Sequence, residues 1–405
     1  MTLHDEPNSW PDPSTLAAAI LSSSASSVAN LGVIAYATLA FGAAGATATV
    51  FGSLLAVATT GPLSGLLSFH PRTLVLFTEG CKAGMLPIAV AAGVSDLTVV
   101  AIVAFLWHLA EGVGAAQRWH CLFSLFPRAE GRPAFLDRLQ HGEAAVSIMV
   151  PLASGVVFAY GGGLHAIAVL SALLALLAAA LWRRIPANRI AYFPARRGPW
   201  AGYRILFKTR RLVLMNMARI VSGLAIPVWA IYLPLLLQHQ FGARFPIAQG
   251  AISALSAAAM LTSGMALRRL APALHDHPEL SRRLALGALA CMGSGFGLAA
   301  VFPGLVIPAL LLIALAFGVF LPNIRSALIT LGQRITPVES VGVVVAAGDS
   351  ISRLAAAALS MLFGVLLNAL APGAGQAWLV FTCYLLAMSG VLMIPSLTGA
   401  PERRG

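Results

Sequence analysis

The chain has 405 residues, of which 59% are hydrophobic and only 10% charged, with a formal net charge of +12. A soluble domain carries about 25% charged residues, so a water-soluble globule is excluded. Hydrocarbon is the solvent that suits these side chains, because apolar groups need no burial against one another there.

A spanning helix needs about 20 mostly apolar residues. Twelve runs fit: 16–41, 46–68, 73–92, 97–117, 142–160, 164–182, 212–237, 247–266, 284–302, 304–323, 341–367 and 377–396. Ahead of the first run stand His4, Asp5, Glu6 and Asp12, where a cleavable signal peptide would be basic. Run 1 is therefore expected to stay as a span. With the N-terminus in the cytoplasm, the basic residues outside the runs fall in cytoplasmic loops, except Arg244. Only Lys82, Arg219 and Arg353 lie within runs. This is the positive-inside bias, and it places both termini in the cytoplasm. The positive charge orients the chain in a lipid bilayer and needs no nucleic acid as partner.

Run 1 contains "ILSSSASSVANLGVIAY", whose small hydroxyls suit close helix packing, with Asn30 and Tyr36 as candidates to line a cavity. Run 3 carries Glu79 and Lys82, three apart, a pair that neutralises itself. Run 4 carries His108 and Glu111, which share a helix face. His108 lies about eleven residues in, or ~16 Å. Histidine titrates near neutrality, so His108 is expected to carry a proton with Glu111 as partner; a polar pair bridging helices is the plainer alternative. Next comes "RRIPANRIAYFPARRGPWAGYRILFKTRR", 183–211, with six runs on each side. Its prolines break a continuous helix. It reads as a basic linker, with Tyr203 to Arg211 either solvated or lying on the anionic leaflet. The expected division is an N-terminal six-helix bundle at 1–184, a cytoplasmic linker at 185–210 and a C-terminal six-helix bundle at 211–405.

Run 7 holds Asn216 and Arg219, then Trp229 and Tyr232, all candidates for a substrate cavity. Arg219 has no acid on its own helix and needs Glu111, Asp349 or an anionic substrate; left unpaired, it would favour an anionic or catechol-like ligand. Run 11 holds Asp349 and Arg353, four apart, as a gate salt bridge or a plain ion pair. Gly84, Pro87, Pro227, Pro234 and Pro322 interrupt runs and offer bending points. The four cysteines, Cys81, Cys121, Cys291 and Cys383, lack metal spacing and read as packing residues.

The halves resemble each other. "LFPRAEGRPAFLDRLQHGEAAVSIMVPLASGVV" aligns with "ITPVESVGVVVAAGDSISRLAAAALSMLFGVLL", matching Pro127 to Pro337 and, after a one-residue slip, Gly155 to Gly364. A six-helix repeat is a transporter architecture, with its substrate site between the halves near the midplane.

Three stretches carry a family likeness. "GPLSGLLSFHPRTLVLFTEGCKAG" offers Gly61, Gly65, Arg72, Glu79 and Lys82, with a shortened loop lacking an aspartate. "HLAEGVGAA" offers His108, Glu111, Gly112 and Gly114. "MVPLASGVV" offers Pro151 and Gly155. Together they resemble the major facilitator superfamily, particularly bacterial drug and siderophore exporters of the enterobactin-exporter-like branch. That family's helix 4 motif has arginine where His108 stands and glutamine where Glu111 stands. The resemblance implies an all-α integral membrane fold of 12 transmembrane helices. It also implies a role for Arg72 in a cytoplasmic latch, and bending and close packing at Gly112, Gly114, Pro151 and Gly155.

The expected function is proton-coupled export of a small amphipathic molecule by alternating access, by a monomer in the inner membrane of a bacterium. An importer or lipid flippase of the same fold is the alternative. An integral-membrane lipid or polyprenyl transferase is remote, because the acid clusters that hold a metal-diphosphate do not occur. No Gly-rich Lys-Ser/Thr phosphate loop occurs either, so direct ATP use is not expected. No enzyme activity, metal or cofactor is expected.

Overall fold

The computed structural model describes residues 13–66, 69–124, 132–187, 190, 200–270, 278–336, 341–370 and 374–394. The first half comprises α1 (Pro13–Leu66), α2 (Pro71–Ala92), α3 (Leu97–Ser124), α4 (Arg132–Tyr160) and α5 (Leu164–Arg184). A short α6 (Ala201–Lys208) leads into α7 (Arg210–Ser222), α8 (Ala225–Phe241) and α9 (Phe245–Leu270). Then follow α10 (Pro278–Val301), α11 (Val306–Ile335), α12 (Val341–Ala369) and α13 (Ala374–Leu392).

Runs 1 and 2 are joined in α1, which breaks at Gly42 (φ 59°, ψ −136°). A Cβ on Gly45 would stand 2.0 Å from the Ala37 carbonyl oxygen. In a straight helix those residues would be about 12 Å apart, so the chain doubles back. Gly242 (φ 54°, ψ −129°) performs the same reversal between α8 and α9. Side chains are strained at such angles, which is why glycine stands there. Both reversals read Phe-Gly-Ala, at 41–43 and 241–243, a second trace of the repeat. Among the described residues, ten stretches are long and apolar enough to cross a membrane, and two of these, of 48 and 54 residues, contain these reversals.

The side chains are arranged for lipid. On α5, Ser171, Ala175 and Ala178 are buried, whereas Val169, Leu173, Leu176 and Leu177 are exposed. Small residues face the neighbouring helices and large apolar ones face outward, the pattern of helices packed in a bilayer. The serine and threonine hydroxyls of α1 mostly bond back one turn, as Ser24 does to the Ile20 carbonyl at 2.9 Å and Thr38 to Ile34 at 2.7 Å.

Several boundaries shift from the sequence expectation. Run 5 lengthens at its start, because α4 begins at Arg132; Leu139 is buried there in a small core with Cys121, Leu122 and Trp182. Run 7 splits at Gly223 and Leu224, where Gly223 N–H donates to Arg219 O and Leu224 N–H to Val221 O. Run 10 extends through Ile335 in α11, with Leu328 and Leu331 buried. The segment expected as linker contains α6. Pro127 and Pro337 lie outside the described residues.

Within the first half, α1 packs on α3 and α5, and α2 on the same two. In the second, α11 packs on α9 and α10, and α13 on α7 and α10. Two main seams join the halves, α1 with α12 and α4 with α9. The α4–α9 seam is backbone on backbone. A Cβ on Gly155 would meet Pro246 O at 2.4 Å, and one on Gly250 would meet Pro151 O at 2.3 Å. At the same end of the molecule, a Cβ on Gly364 of α12 would meet Thr47 Oγ1 at 2.2 Å. The glycines matched by the sequence repeat thus make matching contacts, Gly155 beside Ile247 and Gly364 beside Thr47.

Candidate functional site

Two helices, α2 and α3, bring four charges together in the first half. Lys82 Nζ of α2 lies 2.8 Å from Glu111 Oε2 of α3 and 2.9 Å from Glu79 Oε2. The Glu79 contact is off the line of a hydrogen bond and acts through charge alone. Lys82 also donates to Ser22 Oγ at 2.9 Å. Arg118 Nη1 donates to Glu79 Oε1 at 3.0 Å, and its Nη2 to Glu111 Oε1. The α1 hydroxyls complete the cluster: Ser22 donates to Glu79, and Ser26 donates to Glu111 Oε2 at 2.6 Å. Glu79 and Lys82 are wholly buried and Arg118 nearly so. Burying a charge costs several kcal/mol, and good geometry with complete pairing is what offsets it. Here two carboxylates face two cations, each carboxylate touching both.

His108 stands apart from this cluster. Its Nδ1 lies 2.9 Å from the Ala104 carbonyl and 3.1 Å from Ser53 Oγ. The expected His108–Glu111 pair is therefore not formed. Glu111 turns toward Lys82 and Arg118, while His108 turns toward the second arm of α1. Arg118 was expected in a loop, because its apolar run stops at 117. It lies two turns beyond Glu111 on a helix that continues to Ser124, and that spacing places both on one face. Gly112 and Gly114 let α3 approach closely: Cβ atoms there would meet Thr60 Oγ1 at 2.4 Å and Thr78 Oγ1 at 2.6 Å.

The second half has its own ion pair. Arg219 of α7 donates to Asp349 Oδ1 of α12. Asp349 thus pairs across helices, where the four-residue spacing had suggested Arg353. Arg325 of α11 and Arg353 lie near enough to act on Arg219 electrostatically. Unlike the first cluster, this one is open: the Arg219 and Asp349 side chains are 28% and 38% exposed. The next residue, Ser350, donates across the halves to the Ala58 carbonyl. Asn216 is buried; its Nδ2 donates to Leu212 O, and its Oδ1 packs against Gly348 without a hydrogen-bond partner.

The other candidates divide. Tyr232 is buried, with its ring against Phe296. Trp229 stacks flat on Phe317 at 4.0 Å. Tyr36 donates to the Val94 carbonyl between α2 and α3, and Asn30 is exposed. Arg72 caps the C-terminus of α5, donating to the Arg183 carbonyl at 2.6 Å. Among the described residues, no group of three or more His, Cys, Asp or Glu residues could hold a metal.

No family model and no curated protein matches the sequence. Solved structures do. The nucleoside transporter NupG, in a mutant form, superposes with a TM-score of 0.75 at 14% identity, covering 95% of this chain and 98% of its own. A bacterial homologue of the iron transporter ferroportin, in an inward-facing state, gives 0.71 at 15% identity, covering 96% and 98%. A D-xylose–proton symporter gives 0.68 at 15% identity, covering 97% and 98%. The chain has the fold of these transporters. The likeness is one of fold, and these neighbours do not single out the siderophore-exporter branch.

The Arg219–Asp349 pair has a direct test in this fold. Asp349→Asn is expected to lower the melting temperature in detergent slightly, because a pair this exposed contributes about 1 kcal/mol or less. Joining Arg219→Asp to Asp349→Arg should recover most of the loss. A swap that melts below both single variants would show that the pair does not stabilise the α7–α12 contact.

Proposed function

We propose that this chain is a secondary active transporter with twelve spans and both termini in the cytoplasm. Its bundles comprise residues 1–184 and 211–405, joined by the segment 185–210. It works as a monomer in the inner membrane of a bacterium and exports a small amphipathic molecule by alternating access, driven by protons moving inward. The observation that carries this reading is the set of ionisable groups held inside spans, sealed and neutral in one half and open in the other. Ionisable residues within spans mark substrate and ion pathways.

His108 is the proposed proton carrier. The Ala104 carbonyl can only accept, so Nδ1 holds the hydrogen and Nε2 is left as the basic position. Ser53, its other neighbour, lies on the same arm of α1 as Ala58, which accepts the bond from Ser350 of α12. A proton at His108 therefore bears on an arm that touches the opposite half. Glu111 is already neutralised by Lys82 and Arg118, so it takes a proton only when that cluster rearranges. On the substrate side, Arg219, Arg325 and Arg353 outnumber Asp349. That excess favours a substrate bearing an anionic group.

The test is flux in proteoliposomes under an imposed pH gradient, with a panel of labelled amphipathic anions and cations. Uphill movement of an anion, abolished by a protonophore, is the expected result. His108→Ala should abolish the uphill movement and leave gradient-free exchange. Full coupling in His108→Ala combined with Glu111→Gln would overturn the proton-site assignment. Movement in the same direction as protons would favour the importer.

A further inference from the structure

We propose that α6 is a docking site for anionic phospholipid headgroups, held there against α12. Between residues 183 and 211 the chain has nine lysines and arginines and no acid. α6 sorts its side chains onto two faces. Gly202 and Leu206 are buried on the side that packs on α12 and α7. The other side exposes Trp200 and Phe207, 62% and 64% accessible, together with Arg204 and Lys208. Trp200 rests on Tyr203 with ring centroids 5.5 Å apart, so the aromatic face is continuous.

Aromatics beside cations on one helix face match the membrane–water boundary, where rings sit at headgroup level and bases meet lipid phosphates. The position agrees. Only Thr209 separates α6 from α7, and Arg210 and Arg211 open the spanning helix itself. A segment with nine bases and no acids selects anionic over zwitterionic headgroups. The consequence reaches the ion pair: α12 carries Asp349 and Ser350, so lipid held by α6 bears on the helix that pairs with Arg219 and bonds to Ala58.

The proposal rests on the membrane-spanning part of the functional reading and not on transport. The full chain is placed in nanodiscs of phosphatidylcholine with phosphatidylglycerol, the bromine label being on one lipid or the other. The signal of Trp200 is the difference between wild type and Trp200→Phe. Brominated phosphatidylglycerol is expected to quench Trp200 several-fold more than brominated phosphatidylcholine at equal mole fraction. The variant Arg204→Gln, Lys208→Gln, Arg210→Gln, Arg211→Gln should lose that preference, and replacement of the three arginines by lysine should keep it. Equal quenching by the two lipids, or no quenching of Trp200 by either, overturns the proposal. Failure of the membrane reading looks different, because no tryptophan would then be quenched. A chain that transports nothing would still give the preference.

Discussion

Lys82→Met is expected to destabilise the folded protein strongly. The substitution keeps the volume and removes one of two cations from a site where Glu79 and Glu111 remain. Arg118 then faces two carboxylates, and Ser22 and Ser26 donate only one hydrogen each. Breaking a buried pair by removing one partner costs about 3–5 kcal/mol. A protein is stable by only about 5–15 kcal/mol. The melting temperature in detergent should fall by about 10 °C, since 1 kcal/mol moves a protein of 150–250 residues by about 2–4 °C. Adding Glu79→Gln removes the excess negative charge while keeping an acceptor for Arg118, so the double variant should regain more than half of the loss. If Lys82→Met melts with the wild type, the cluster does not hold α1, α2 and α3 together. If the double variant is no better than the single, charge balance is not what the cluster supplies.

The second large effect is expected at the α4–α9 seam. Gly155→Leu places a side chain where the Pro246 carbonyl already stands, and backbone cannot swing aside as a side chain can. The helices must part at that end. Overpacking costs about 1–3 kcal/mol, which becomes about a five- to hundredfold change in population if an open state is available. Spin labels at Tyr160→Cys and Arg244→Cys, both exposed at this end, report the separation in a Cys291→Ser background. The expected result is a new long-distance population. An unchanged distance distribution in folded Gly155→Leu would show that the seam does not set the conformation. Gly364→Ala should act in the same direction and more weakly, because its obstacle is the Thr47 side chain.

The spans were legible because length and polarity alone define them in hydrocarbon. The chain reversals were legible as gaps between the apolar runs, 42–45 and 238–246. Tertiary choices were less accessible. His108 and Glu111 share a helix face by spacing, yet helices from two directions offer them different partners, and sequence distance says nothing about which wins. Arg118 was missed because a hydropathy run ends where charge begins, while the helix continues. Its position seven residues after Glu111 was the signal that could have found it. Asp349 was among the partners expected for Arg219, and the fold selects it because α7 and α12 lie side by side. The ring of Tyr232 packs on Phe296, a contact that spacing along one helix does not reveal.

The contrast between the two charge clusters has an electrical consequence. The cluster of Glu79, Lys82, Glu111 and Arg118 sums to zero, so a membrane potential exerts no net force on it. The group formed by Arg219, Arg325, Arg353 and Asp349 carries surplus positive charge. One elementary charge crossing the full membrane is worth about 2.3 kcal/mol per 100 mV. On the proposed reading, rocking that shifts this group along the field is voltage-dependent when the site is empty, and less so when an anion fills it. The four-residue cluster is electrically silent on that reading, and the potential acts through the second half's group and through any proton that His108 carries.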